Sequence, residues 1–550
     1  MDDFDWQPIL KELQRPPMRL DFGNTIKGTS VRLVDVFVDS MFEFVDHKLS
    51  PSQSNFAPID YEFKEGVDVR VTEGAIPDDF PIGVYIRNGS NPLFGGLKST
   101  KSVFGKARDI WVEGEGMLHA LYFNKSNGTW NVVYKNRYVE SQTFKLEKQR
   151  NKPSFLPATH GDSLAIFLSS FLNWLRFGKL NKDMSNTNVF EHSGKLYSVA
   201  ENFQPQEFDI FTLQTLGDWN VNGAWMRSFT SHPKKAPGSG ELVTMGVDLS
   251  KPFVEVGVIS ADGEKLLHKV DLKLNRCTYS HELGVTQRYN IFIDHPLSLD
   301  VNRLILGGPL IEFNKNKYAK IGVFPRYGDS DSIRWFDVEP NCTFHILNCF
   351  EDGDDEVVVI GCRAQESTIL LGEDDEGSKE LNELLFSRAH QWRLNMKSGE
   401  VKETSLTPSN ISMDFPFINS TFTGLRNKYG YTQVSHLLAS SISGMPKFGG
   451  IAKLYLHEKQ TTASSNRLIK MEFHEFEENT YCTGAAFVAK QGGVEEDDGW
   501  IITFVHNEQT NISQVYIIDA DNFSSEPVAK IKLQCRVPYG FHGDFFPIHM

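Results

Sequence analysis

The chain has 550 residues, 40% of them hydrophobic, and carries a formal net charge of −15. That is enough apolar material for a large core, while the acidic balance excludes phosphate-backbone binding, which needs clustered Lys and Arg, and so excludes a nucleic-acid partner. Phe is abundant, with 41 residues, which implies a large apolar interior or an apolar tunnel.

In chain order, residues 1–60 read as an N-terminal arm. Its first residues are acidic and match neither a secretory signal nor an Arg/Ser-rich transit peptide. The stretch Val34 to His47 predicts an amphipathic helix, apolar at positions 34, 37, 38, 41, 42 and 45. Residues 61–550 read as a single catalytic domain. Short strand-like runs alternate there with Gly, Asp and Asn turns, among them Phe253 to Ile259, Glu356 to Ile360, Gly499 to Val505 and Gln514 to Asp519. Many short strands imply an all-β sandwich or propeller, and at this length repeated four-strand blades fit better.

A helical insertion at about 155–185 interrupts this pattern. Its centre, Ser163 to Lys179, is strongly apolar and too short to span a bilayer, and no run of 18 apolar residues occurs anywhere in the chain. It reads either as a packed lid or as an interfacial helix on a peripheral membrane surface, with Phe167, Leu168, Phe171, Leu172, Trp174 and Phe177 at a tunnel mouth. Three acidic runs, 351–356, 373–376 and 495–498, read as solvated loops, since none has the spacing of a calcium-binding loop. Six scattered cysteines with no C-x-x-C pair predict free thiols in a reducing compartment.

Four histidines stand in distinctive settings: His232 in Ser-His-Pro-Lys, His281 in Ser-His-Glu-Leu, His345 in Phe-His-Ile-Leu-Asn, and His542 in Gly-Phe-His-Gly-Asp. They are separated by 49, 64 and 197 residues, so no pair has helical i, i+4 spacing. In a propeller such wide spacing suits an axial site to which each inner strand contributes one ligand. Imidazole serves Fe, Zn and Cu alike, so the spacing leaves the metal open. No competing Ser/His/Asp, phosphate-loop or dinucleotide constellation is present.

These contexts resemble the carotenoid cleavage oxygenase family. So, in order from about residue 55 to the end, do Gly83 to Pro92, Glu113 to His119, Phe324 to Tyr327, Ile333 to Phe336, Asp414 to Pro416, and Glu496 to Trp500 followed by Phe504 to His506. The resemblance implies a seven-bladed β-propeller with a helical dome and an apolar tunnel to an axial Fe(II). His232, His281, His345 and His542 would be its ligands, with O2 as co-substrate and an apolar polyene split into two carbonyl products. It places the outer carboxylates at Glu201, behind His281, and Asp414, behind His345. A third carboxylate usual in the family falls at Gly484, so His542 is expected to rely on water or a backbone carbonyl. Ser90 in place of a common Pro is a second, smaller departure.

The overall pattern is closest to the plant branch. The apolar helix and the missing acid resemble the zaxinone synthase group, which implies an apocarotenoid substrate, apo-10′-zeaxanthinal cut at C13–C14 to give zaxinone. The alternatives are 9,10(9′,10′) cleavage of full-length carotenoids and a non-catalytic propeller that binds apolar ligands. The resemblance further implies an intracellular, plastid setting, with the cytosol as alternative, and no obligate protein partner.

Overall fold

β-Branched and aromatic residues dominate the runs between the turns, and they form strands because such side chains pack well on a pleated, buried surface. The run Val254–Ile259, buried at every position, pairs on one side with Leu242–Val247 and on the other with Leu266–Asp271. Gly499–Asn507 sits likewise between Thr480–Ala489 and Ile512–Asp519. The computed structural model describes residues 25–46, 48–96, 98–367, 386–459 and 468–548. Every strand-to-strand ladder within them is antiparallel.

Among the described residues five sheets are four-stranded, with their strands side by side in chain order. One begins at Phe42–Asp46; the other four begin at Asn188–His192, Lys234–Lys235, Gly284–Val285 and Cys342–Asp352. A larger sheet joins the ends of the chain: Val67–Gly74 pairs with Ala529–Lys532, and Gly83–Ser90 pairs with Gly543–Pro547. The first strands of those other four sheets also pack on one another. Lys234–Lys235 lies beside Gly284–Val285, which lies beside Cys342–Asp352. The series continues through Met413–Phe417, Thr480–Ala489 and Gly543–Pro547 to Asn188–His192. These edge strands surround an open channel of about 900 Å³.

The insertion forms the helix Ser163–Phe177, ended by Gly178 at φ +70°, a left-handed cap that glycine adopts without strain. A second helix, Thr25–Met41, packs against it, with Val38, Phe42, Leu156 and Leu172 buried between them. Asp35 clamps the pair by bonding Arg176 at 2.7 Å and Arg150 at 3.0 Å. The helix expected over Val34 to His47 therefore starts earlier and ends at Met41. Phe42–Asp46 is instead a strand paired with Lys98–Ser102, because Phe-Glu-Phe-Val-Asp alternates and a partner edge is available. His47 lies outside the described residues.

Two expectations about acidic runs are corrected or bounded. Glu495 to Asp498 is only in part a solvated turn: Glu495 is exposed, but the two residues after it are buried. The buried Glu496 accepts hydrogen bonds from the backbone N–H groups of Lys428 and Tyr429, and the buried Asp497 pairs with Lys453 at 2.6 Å. The run 351–356 ends a hairpin with only Gly353 and Asp354 exposed, while Glu351 pairs with Arg288 and both Asp352 and Glu356 pair with Arg393; 373–376 lies outside the described residues. All six cysteines are free thiols.

Candidate metal centre

The four histidines meet at one end of the channel, each in or next to an edge strand of a sheet. His232 immediately precedes the strand Lys234–Lys235 and forms an isolated bridge with Glu282; His281 precedes Gly284–Val285. His345 lies within Cys342–Asp352, where the register shifts on either side of Ile346, and His542 precedes Gly543–Pro547. A bulge re-aims a side chain without ending the strand, which is how His345 can turn inward mid-strand.

One ligand atom from each ring lies within 4.8 Å of all the others. The Nε2 atoms of His232 and His281 are 3.0 Å apart, those of His281 and His345 3.2 Å, and those of His345 and His542 3.2 Å. An ion held about 2.0–2.1 Å from imidazole nitrogens requires donors at about this spacing. Burial, and after it the neighbouring imidazoles, hold His232 and His542 well below the ordinary histidine pKa. Both are therefore neutral at pH 7, the form that binds metal. Four imidazole nitrogen donors fit a borderline ion such as iron, and the residues present fit the group.

Carboxylates stand beside two of the four rings. Glu201, on the turn after Lys195–Val199, sits 2.5 Å from His281 Nδ1. Asp414, in Met413–Phe417, sits 2.7 Å from His345 Nδ1. Burial lowers the pKa of His281, but the Glu201 carboxylate outweighs it and the net shift is upward. An imidazole whose Nδ1–H is held by a carboxylate presents Nε2 as a lone pair to the metal. His232 has only the Asn188 amide, 3.4 Å from its Nδ1.

His542 differs: among the described residues no hydrogen-bond partner is found for its second ring nitrogen. Gly484, where a carboxylate was missed in the sequence, has φ +74°, and its carbonyl accepts from Tyr85 Oη at 2.5 Å. A Cβ there would lie 2.3 Å from Cγ of Arg87. Arg87 is fully buried; it donates to Thr483 Oγ1 and to the Pro538 carbonyl and lies over the Phe504 ring. Restoring an acid at 484 would have to displace this guanidinium stem and accept a left-handed backbone, which costs an L-residue about 1–2 kcal/mol.

One further feature was missed in the sequence. The buried Glu282 pairs with Lys234 and accepts from Ile346 N at 2.7 Å, so one carboxylate ties together the segments that carry His232, His281 and His345. An apolar cavity of about 140 Å³ opens on the face of the cluster away from the channel, lined by Trp111, Tyr279, Phe344, Phe415, Phe448 and Phe541. Its position could have been sought next to the ligands, since Phe344, Phe415 and Phe541 adjoin His345, Asp414 and His542. Ser90 donates to the Glu113 carbonyl at 2.7 Å.

The insertion helix lies elsewhere. None of Phe167, Leu168, Phe171, Leu172, Trp174 and Phe177 is among the residues lining the cavity. Leu172 faces inward and packs on Val38 and Leu156, so it belongs to the helix–helix core rather than to an apolar patch; the other five are half-buried.

An antiparallel β scaffold that turns four imidazoles, two of them backed by carboxylates, toward an apolar cavity is the frame of a four-histidine metalloenzyme. The family described as retinal pigment epithelial membrane protein matches residues 56–547, and the chain belongs to it. It is 33% identical over 538 residues to carotenoid 9,10(9′,10′)-cleavage dioxygenase 1 of Pisum sativum, covering 93% of this chain and 92% of that protein. The corresponding enzyme of Crocus sativus is 32% identical over 542 residues, covering 94% and 93%. Plant relatives with names marking them as chloroplastic also match. The lignostilbene dioxygenase of Pseudomonas brassicacearum shares the fold, with a TM-score of 0.74 at 22% identity over 92% of this chain and all of that one.

Proposed function

We propose that this protein is a non-haem Fe(II) dioxygenase that cleaves one C=C bond of an apocarotenoid with O2. The observation that carries the reading is the convergence of four imidazole nitrogens on the wall of an apolar, aromatic cavity. Iron bound by His232, His281, His345 and His542 would supply O2 binding and activation. The protein's own groups hold the polyene against that face and keep bulk water out of it. One oxygen atom ends in each carbonyl product, so the reaction balances with no external reductant.

The finer assignment is a hydroxylated apocarotenal, apo-10′-zeaxanthinal, cut at C13–C14 to give zaxinone. Its support is the apolar helix Ser163–Phe177 together with a glycine, Gly484, at the position of the third carboxylate. The second reading, 9,10(9′,10′) cleavage of full-length carotenoids, is favoured by the names of the Pisum and Crocus relatives. Incubating iron-loaded protein with both substrate classes and weighing the products decides between them. We expect two carbonyl fragments from the apocarotenal and at least tenfold slower loss of full-length carotenoid. The reverse preference establishes the second reading, and no product from either leaves a non-catalytic binding protein.

The scaffold reading is a seven-bladed propeller, supported by the circuit of edge strands around the channel. We also assign the two packed helices to a membrane surface in a plastid. Leu33, Val36 and Phe37 are exposed on one, Leu164 and Leu175 on the other, and Val103 and Leu306 on the segments packed beside them. Exposed apolar surface of this extent marks an interaction site, and a polyene substrate is stored in lipid. Changing Val36, Leu164 and Leu175 together to Ser is expected to reduce liposome binding at least tenfold while leaving the melting temperature within a few degrees. Undiminished sedimentation with liposomes would reduce the helices to a structural lid.

A further inference from the structure

His281 and His345 are each oriented by a carboxylate, yet among the described residues His542 has none. What lies against it instead is an aromatic ring. Phe415 stacks on the His542 imidazole with centroids 4.6 Å apart and the planes 24° from parallel. The same ring lies 4.9 Å from His345 and is braced edge-on by Phe448 at 5.2 Å.

The backbone that delivers this ring is strained. Phe415 has φ +53°, an outlier for a bulky side chain, and it precedes Pro416, which ordinarily forces the preceding residue into the extended region. The chain bulges here: Asp414 pairs with Gln433 but Phe417 pairs with Tyr431, leaving Phe415 and Pro416 outside the ladder. The strain is held in place by a specific bond. Phe415 N–H donates to Asp414 Oδ1 at 2.8 Å, the same oxygen that faces His345 Nδ1 at 2.7 Å. One carboxylate oxygen thus orients one ligand directly and locks the turn that aims a ring at the next. Sparsely populated backbone conformations persist where the surroundings over-determine them, and they cluster at functional sites.

We propose that Phe415 is a positioning residue for His542, its ring face fixing the imidazole plane in place of an outer-shell carboxylate. A flat face restricts rotation of the imidazole about its Cβ–Cγ bond and leaves both nitrogens free, so it fixes the plane without choosing the tautomer. Phe415 and Phe541, together with His345 and His542, also line both the apolar cavity and the channel. The stacked pair is therefore part of the wall between a mainly apolar compartment and a mixed polar and apolar one.

The proposal rests on the four-histidine metal reading, and the test separates the two. Metal-free protein is titrated with Co(II), whose visible absorption reports both affinity and coordination geometry without any turnover. Phe415→Tyr and Phe415→Trp keep a flat face; Phe415→Leu and Phe415→Met keep volume and lose it. The expected result is wild-type affinity and spectrum for the aromatic pair. For the aliphatic pair the expected result is binding about tenfold or more weaker and shifted absorption bands, with the melting temperature of the metal-free protein alike in all four. Phe448→Leu, which loosens the brace but leaves the stacked face, should fall between. Equal cobalt affinity and spectra for any folded aliphatic and aromatic variant overturn the proposal. A wild-type protein that takes up no cobalt overturns the metal reading instead.

Discussion

Replacing His345 by Ala is expected to leave a folded protein that retains no iron and turns over no polyene. His345 is the central member of the cluster, with its Nε2 3.2 Å from the Nε2 of both His281 and His542. Its removal leaves three donors spread around an enlarged void and takes away the only imidazole that Asp414 orients. The stranded Asp414 keeps the Phe415 N–H and the nearby Ser387 hydroxyl, so its loss of one hydrogen bond costs about 1–3 kcal/mol, well within what a core of this size absorbs. Iron per chain after purification and product mass after incubation with substrate read the two effects separately, and the melting curve reads the third. An iron-free His345→Ala protein with full turnover would sink the four-histidine assignment. A His345→Ala protein that still carries one iron per chain would show that the ion sits elsewhere.

The legible and illegible parts of this site divide along physical lines. The ligand histidines, Glu201 and Asp414 could be placed because each sits in a local setting that a sequence displays, such as His281 in Ser-His-Glu-Leu. The strands around them could be placed because β-branched runs between turns carry their own period. The course of the arm beyond Met41 could not. Val34 to Val45 satisfies a helical pattern, and only the free edge of Lys98–Ser102 decides that Phe42–Asp46 becomes a strand. The run Glu495 to Asp498 looks like solvent-facing charge until Lys453 and the N–H groups of Lys428 and Tyr429 are brought to it from 40 to 70 residues away. Phe415 was quoted only as part of a motif. Its left-handed backbone and its stack on a residue 127 positions later are tertiary facts with no local trace.

The gap at Gly484 changes meaning once Arg87 is seen. In sequence it is a missing acid that might simply be restored. In the structure it is space already taken by a buried guanidinium stem whose N–H groups hold Thr483 and the Pro538 carbonyl. Pro538 lies on the segment that leads to His542, and Asn88, next to Arg87, accepts from Phe541 N and donates from its own N–H to the His542 carbonyl. His542 is therefore held through its backbone by the Arg87–Asn88 strand and through its ring face by Phe415, whereas His281 and His345 are held through a ring nitrogen.

That difference predicts where a charge change matters most. Glu201→Gln is expected to weaken iron retention about 10–100-fold, the usual cost of altering a partner behind a metal-bound imidazole. The carboxylate 2.5 Å from His281 Nδ1 can only accept, so it fixes the proton on Nδ1 and leaves Nε2 bare for the ion. An amide of the same shape can accept or donate. When it donates, the proton moves to Nε2 and the ligand is lost to the metal. A tenfold loss corresponds to about 1.4 kcal/mol, within the range of one hydrogen bond to a charged group. The substitution removes no apolar contact, so the melting temperature of the metal-free protein should barely move while iron is stripped faster by a competing chelator. Glu201→Asp, which keeps the charge but shortens the reach, should fall between the two. Equal iron retention by wild-type and Glu201→Gln protein under chelator challenge would show that His281 is held by packing alone, and that its carboxylate neighbour is incidental to the centre.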